Sequence, residues 1–345
     1  MSEHIWEQLR GQVQEGWPEL GRPIFVVDGS SLQLPHEPEL LKAFPAGSNQ
    51  HGENHWPVVR VVVFHDVFSG LALQPSWGPM YGKAAVSEQA LAQKSLVCLP
   101  ANAVVLGDGN FGTFAFAHAV VSSGRGLLIR LTKERALSIL RPQRSNGRTD
   151  VAVVWEPSKW DRRAHPDLPL TAQLRGRILV LEHPSNRGQR WYVFTDLDLP
   201  AAEIAKIYAL RWNIETDLRS LKKTVEIHRL SGHSVDLIEK ELMIAVAAYN
   251  LVRAVMCMAA RSAGLSPRQL SFSNVYAVVQ AVLPRLAQAR NDAERRYWVE
   301  RMVSDAARFK LPKRSRQRRF PREVWGQGER FPPRKRTGST KKETL

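Results

Sequence analysis

The chain has 345 residues, 43% of them hydrophobic and 24% charged, a globular composition that excludes a disordered, collagen-like or coiled-coil chain. Its 49 Lys and Arg against 33 Asp and Glu leave a net charge of +16, which points to a polyanionic partner, nucleic acid or an acidic membrane face. Two cysteines, Cys98 and Cys257, are too few for a disulfide framework or a four-thiolate zinc site.

No stretch reaches the ~18 continuous apolar residues of a membrane span. The best candidate, residues 242–255, is broken by Asn250 and Arg253. The N-terminus mixes acids with bases and has no apolar h-region, so it does not read as a signal peptide. The expectation is a soluble, cytoplasmic protein without a membrane partner.

In chain order, residues 24–27 (IFVV) predict a strand ending at Asp28. Residues 58–64 (VVRVVVF) and 71–73 predict a hairpin around the turn Phe68-Ser69-Gly70. Residues 85–96 have helical spacing, and residues 103–106 (AVVL) predict a buried strand ending at Gly107-Asp108. A helix over 113–121 leads through Ser122-Ser123-Gly124 into a strand over 127–131. Strands apolar on both faces argue for an α/β fold, a sheet covered by helices. From 132 to 199, three strands (151–155, 178–182 and 191–195) alternate with Arg-, Pro- and Gly-rich turns and no helical pattern, which predicts a small all-β insertion. Pro200 opens a helical region with helices over 201–223 and 235–263, and one or two more over 272–302. Residues 311–345 hold twelve Lys and Arg against three Glu, so +9 of the net charge sits in a tenth of the chain. That is a basic flexible tail of the kind that binds nucleic acid. The chain therefore divides into an N-terminal segment (1–21), the first part of a catalytic core (22–131), a β-rich insertion (132–199), a helical second part (200–310) and the tail (311–345).

Two acids share one placement. Asp28 and Asp108 each follow an apolar strand and precede a Gly-containing turn. Ligands of open sheets collect at such carboxyl ends. Two carboxylates held there repel each other unless a cation lies between them, so the pair suggests a divalent metal site; turn formation is the other reading of an Asp before Gly. Further on, steps of 3, 4 and 7 place Tyr208, Arg211, Glu215 and Lys222 on one helical face. Leu210, Ile214, Leu218 and Leu221 lie on another. His51-Gly52-Glu53-Asn54-His55 is not a zinc-protease helix, because Gly52 stands where Glu is required. His65 and His228 read as structural.

At these residues the chain resembles the IS4-type insertion-sequence transposases with an RNase H-like DDE catalytic domain. Their signature Tyr-x2-Arg-x3-Glu-x6-Lys is matched in full at Tyr208, Arg211, Glu215 and Lys222. The resemblance also takes in Val26-Val27-Asp28-Gly29, Asp108 with Phe111 three residues on, the insertion, and the run LPKRSRQRRFPR, in all roughly residues 22–322. It implies an RNase H-like mixed sheet flanked by helices, with a β-rich insertion between the second Asp and the Glu. It further implies that Asp28, Asp108 and Glu215 hold two Mg²⁺ or Mn²⁺ ions for in-line displacement at phosphorus. Water would nick the element end, and the freed 3′-OH would attack the other strand or target DNA. Arg211, Lys222 and Tyr208 would bind DNA. In several relatives an insertion tryptophan stacks on a flipped base, for which Trp155, Trp160 and Trp191 are the candidates.

The implied partners are double-stranded DNA, as inverted-repeat ends and target, and a second copy in a homodimer. Only 27 residues precede Asp28, too few for the front DNA-binding domain of larger relatives. Either the chain is a compact or truncated form, or end recognition falls to the insertion, the C-terminal helices and the tail. Two alternatives remain: an inactive derivative that only binds DNA, and an RNase H-like metal nuclease or resolvase without strand transfer.

Overall fold

The computed structural model describes residues 17, 20–49, 52–143, 147–182, 190–225, 227 and 230–312. In chain order the strands are β1 (Ile24–Gln33), the short pair β2 (Ser48–Asn49) and β3 (Gly52–Glu53), β4 (Val58–Asp66), β5 (Ser76–Pro79), β6 (Val104–Gly107), β7 (Gly126–Leu131), β8 (Asp150–Trp155), β9 (Leu174–Glu182) and β10 (Arg190–Thr195). The helices are α1 (Pro38–Ala43), α2 (Glu88–Ser95), α3 (Phe114–Ser122), α4 (Lys133–Leu140), α5 (Lys159–Ala164), α6 (Ala201–Ala209), α7 (Asn213–Arg219), α8 (Val235–Ser262), α9 (Phe272–Ala287) and α10 (Asp292–Ala307).

One eight-stranded sheet carries the fold, in the order β5-β4-β1-β6-β7-β10-β9-β8, while β2 and β3 pair separately. The pairs β1–β6 and β6–β7 are parallel and the others antiparallel. Alternation along the central strands divides their side chains between two cores. Phe25, Val27, Val105 and Ile129 face Leu91 of α2 and Phe114 and Phe116 of α3. Ile24, Val26, Val104, Leu106 and Leu128 face Ile204, Ile207 and Tyr208 of α6 and Ile214 of α7. This mixed sheet covered on both faces agrees with the expected α/β, RNase H-like class. A third cluster joins Val59, Val61 and Val63 of β4 to α8, α9 and α10. Caps follow the sequence: Ser87 accepts from the Ala90 N–H at 3.1 Å, and Asn291 from the Glu294 N–H at 2.9 Å.

Four expectations are revised. First, β1 does not stop at Asp28 but runs on to Gln33 as the antiparallel partner of β4. Second, the expected hairpin closes, with Asp66 N–H bonded to the Leu71 C=O and Leu73 N–H to the Phe64 C=O, both at 2.8 Å, but its return arm is shorter than a strand and pairs at the single bridge between His65 and Ala72. The Ala72 N–H and C=O, which face away from β4, bond to the Asn250 side-chain amide of α8 at 2.8 and 2.7 Å, so the outer edge of the arm is satisfied as well. Third, the segment 132–199 is not all β: α4 and α5 interrupt it, capped by Thr132 and Ser158. Its strands extend the central sheet through β10 against β7. Fourth, the helix expected over 201–223 is broken into α6, a 3₁₀ turn at Leu210–Trp212, α7, and a π turn at Ser220–Thr224.

The third helical stretch is two helices, α9 and α10. By length and composition α8 could cross a membrane, but Leu242, Val246, Val252 and Val255 pack into the cluster on β4. His51, His228 and nearly all of the basic tail lie outside the described residues.

Candidate active site

The parallel register builds the site. Val26 of β1 lies beside Leu106 of β6, so two residues further along each chain Asp28 comes level with Asp108. By the same alternation that sends Val26 and Leu106 toward α6 and α7, both carboxylates project on that face. The Asp28 carboxylate accepts from the Gly29 N–H at 2.8 Å, and Asp108 accepts from the Asn110 N–H at 2.8 Å. Burial, with the like charges of Asp108 and Glu88, pushes the Asp28 carboxyl up to about 6, against the Gly29 N–H and the Arg211 charge.

Glu88, the first residue of α2, is the unforeseen member of this group. Asn110 Nδ2 donates to its Oε2, Gln89 Nε2 donates to Asn110 Oδ1 at 3.0 Å, and Arg60 Nε lies 4.0 Å from its Oε1. The close approach requires glycine at position 29: a Cβ there would fall on the Glu88 carboxylate. Arg130 is a second addition. It extends from β7 with its guanidinium 5.8 Å over the Trp191 ring, and its charge is felt by Tyr208. A charged residue inside the apolar run LLIRL was the signal available in the sequence. For Glu88 no local signal existed, since an acid in a first helical turn is commonplace.

Arg211 is held between two partners on its own helix: its guanidinium lies 4.7 Å over the Trp212 ring and 3.7 Å from the Glu215 carboxylate. The Glu215 side chain is 45% exposed. Tyr208 is 2% exposed, meets Trp191 edge to face at 5.9 Å, and has its hydroxyl raised to about 12 by burial. Arg211 is close enough to act on that hydroxyl electrostatically, but no well-formed hydrogen bond joins them. Lys222 is half-buried in the π turn. Of the insertion tryptophans, Trp155 and Trp191 are core residues, whereas Trp160 is 75% exposed.

Asp28, Asp108, Tyr208 and Arg211 are thus within electrostatic reach of one another. Among the described residues, no three His, Cys, Asp or Glu side chains converge tightly enough to hold one metal ion; Glu215 turns to Arg211. The donor chemistry is nevertheless that of hard cations: carboxylate oxygens only, with Asp28 destabilised in its charged form by burial and then by the Asp108 and Glu88 charges.

A family described as "Transposase DDE domain" matches residues 19–251. Transposase InsG for insertion sequence element IS4, from Escherichia coli (strain K12), is 28% identical over 321 residues, covering 90% of this chain and 70% of that protein. Among solved structures, Ciona intestinalis endonuclease V in complex with a 24mer DNA containing an inosine followed by a ribo-adenosine is 13% identical, covering 64% of this chain and 95% of that one. The TM-score of that match is 0.27.

Proposed function

The chain belongs to the transposases with a DDE domain, enzymes that cleave DNA and transfer its strands, and we propose that Asp28, Asp108 and Glu215 are its three metal-holding acids. The observation that carries this reading is the β1–β6 register, which sets Asp28 beside Asp108 on the face covered by the Tyr208–Glu215 helices. The family uses divalent metal ions; for this chain we take them to be Mg²⁺ or Mn²⁺, two per site. Such ions would polarise the scissile phosphate and acidify the attacking water.

The protein's own part is placement and charge. Asp28 on β1 and Asp108 just past the end of the adjacent β6 offer oxygens that need no rearrangement to meet a cation. Glu215 joins them by releasing Arg211, a change confined to two side chains one turn apart, across the junction of the 3₁₀ turn and α7. The Arg211 guanidinium, released from that pair and steadied on Trp212, is then available to a phosphate of the element end, with Lys222 about two turns beyond Glu215. Burial speaks against a direct DNA contact for Tyr208; packed on Trp191 beneath Arg211, it suits a supporting role. Trp160 is the insertion tryptophan with a ring open to a flipped base. In the first step a water oxygen bonds to phosphorus and the P–O3′ bond breaks, leaving a 3′-OH. That hydroxyl then attacks the second strand or target DNA in the same way. Two inverted-repeat ends, joined by two copies of the chain, would form the working complex.

The test is cleavage of a duplex built from the inverted repeats that flank the chain's own reading frame, with Mg²⁺, Mn²⁺ or EDTA. Wild type should give metal-dependent 3′-OH ends, while Asp108→Asn and Glu215→Gln should bind the duplex within a few fold and cut nothing. Cleavage by Glu215→Gln would remove the three-acid assignment.

A further inference from the structure

Directly beneath Glu215, on the opposite side of α7, lies a buried ionic cluster. Asp217 is fully buried, and its carboxylate accepts from Arg253 of α8 and, at 2.5 and 2.9 Å, from both terminal nitrogens of Arg268. Arg268 continues outward: its Nε donates to the Val67 carbonyl at 3.0 Å and its Nη2 to the Asp66 carbonyl at 3.2 Å. Asn213, at the start of α7, donates to the same Val67 carbonyl at 3.2 Å. Arg253 is braced by the Tyr249 hydroxyl at 2.9 Å, which itself donates to the Gly70 carbonyl at 2.7 Å. Gly70 has φ +77°, and a Cβ there would strike the Arg253 guanidinium. The network ends at Asp66, whose backbone is paired with Phe25, three residues before Asp28.

We propose that Asp217, clamped by Arg253 and Arg268, is a positioning residue that sets the rotation and height of Glu215 relative to the Asp28 strand; the inference rests on Glu215 being a metal-holding acid. α7 has only seven residues, and the 3₁₀ and π turns at its ends deprive it of a long regular helix to fix its azimuth. Its buried apolar contact, Ile214, chooses a side but resists sliding weakly. A two-pronged guanidinium–carboxylate pair fixes both rotation and translation. A buried ion cluster is a poor device for stability alone, since apolar residues of like volume do as well; holding one geometry is what it does better. Arg253 and Arg268 both lie beyond residue 251, where the match to the DDE domain ends, so the C-terminal helices would complete a site whose acids all precede them.

The experiment compares Arg268→Lys and Asp217→Asn with Val275→Ala, a truncation in the α8–α9 core. Each variant is followed by thermal melting, affinity for the inverted-repeat duplex in EDTA, Mn²⁺ binding by electron paramagnetic resonance, and single-turnover cleavage over a Mg²⁺ series. Arg268→Lys keeps the charge and the Arg253 contact, so it carries the comparison if Asp217→Asn does not fold. The expected result is duplex affinity within about two-fold, with Mn²⁺ affinity and cleavage each reduced ~10–100-fold, the range seen when groups behind metal ligands are changed. Val275→Ala should lower the melting temperature without moving the Mg²⁺ midpoint. Unchanged Mn²⁺ affinity and Mg²⁺ midpoint in Arg268→Lys, or an equal shift in Val275→Ala, would overturn the proposal. Glu215→Gln in parallel separates the two ideas: if it binds Mn²⁺ and cuts like wild type, the reading of Glu215 fails first.

Discussion

Asp28→Asn should stabilise the metal-free protein, and only above pH 4. The Asp28 carboxyl stands at about 6 in the fold against an ordinary 3.8, because burial and the neighbouring Asp108 and Glu88 charges disfavour its ionised form. Below both values the group is protonated in folded and unfolded chains alike and contributes nothing. Between them the unfolded chain releases the proton first, so stability falls as pH rises, and above about 6 the full penalty is present. A rise of ~2 units at ~1.4 kcal/mol each makes that penalty about 3 kcal/mol. Asparagine keeps the oxygen that accepts from the Gly29 N–H and removes the charge. With ~2.1 cal/mol/K of unfolding entropy per residue, the relief corresponds to ~4 °C in melting temperature for a chain of this length. The assay is thermal unfolding in EDTA from pH 4 to 8, wild type beside Asp28→Asn, repeated with Mg²⁺. The variant should gain with pH in EDTA; wild type should recover the difference with metal, by ~2.7 kcal/mol at a hundredfold excess over the dissociation constant. A variant less stable than wild type at pH 8 in EDTA, or equally stabilised at pH 4 and pH 8, would refute the reasoning.

Gly29→Ala should leave the sheet intact but displace the Glu88 carboxylate from Asn110; cleavage should fall more than melting temperature, and a loss of both in proportion would mean that Glu88 is only packing. Asn250→Ala strands the Ala72 N–H and C=O in the core, at a cost of roughly 2–5 kcal/mol for two unsatisfied groups; urea unfolding with a loss under ~1 kcal/mol would show that water or a backbone shift replaces the amide. Deleting residues 311–345 should flatten the dependence of log affinity for DNA on log salt by ~0.9 for each phosphate the tail had neutralised, and an unchanged slope would mean the tail does not touch DNA.

The candidate site was legible in the sequence wherever chemistry and local pattern coincide. The apolar runs before Asp28 and Asp108 announce adjacent central strands, and the signature from Tyr208 to Lys222 announces the helices opposite. What the sequence hid was long-range. Glu88 and Asp108 are partners through Asn110, twenty-two positions from Glu88, and nothing in the run EQALAQKS marks the first residue as special. The hairpin after β4 was legible and forms, but nothing local shows that Asn250, far along the chain, takes up the outward-facing Ala72 backbone. In the segment 132–199, α4 and α5 are short and rich in charge, so they leave no helical pattern in the sequence, and the pairing of β10 to β7 leaves no mark on β10 itself. Asp217 carries no mark of its own in the sequence, since Arg253 and Arg268 reach it only through the fold.

The π turn at Ser220–Thr224 has a consequence for how this stretch of chain tolerates change in length. Each α-helical residue advances the side-chain direction by ~100°, and a π turn accommodates one residue more than the regular spiral would. Losing a single residue there would let the segment relax into plain α-helix, with Asp217 and its clamp untouched. The chain beyond the turn would keep its direction relative to Glu215, because the turn had already absorbed the surplus residue, whereas the same loss between Glu215 and Ser220 would swing Lys222 by ~100°. The spacing between those two side chains is therefore a dial with discrete stops, whereas the surface loops around the sheet can lengthen or shorten without turning it.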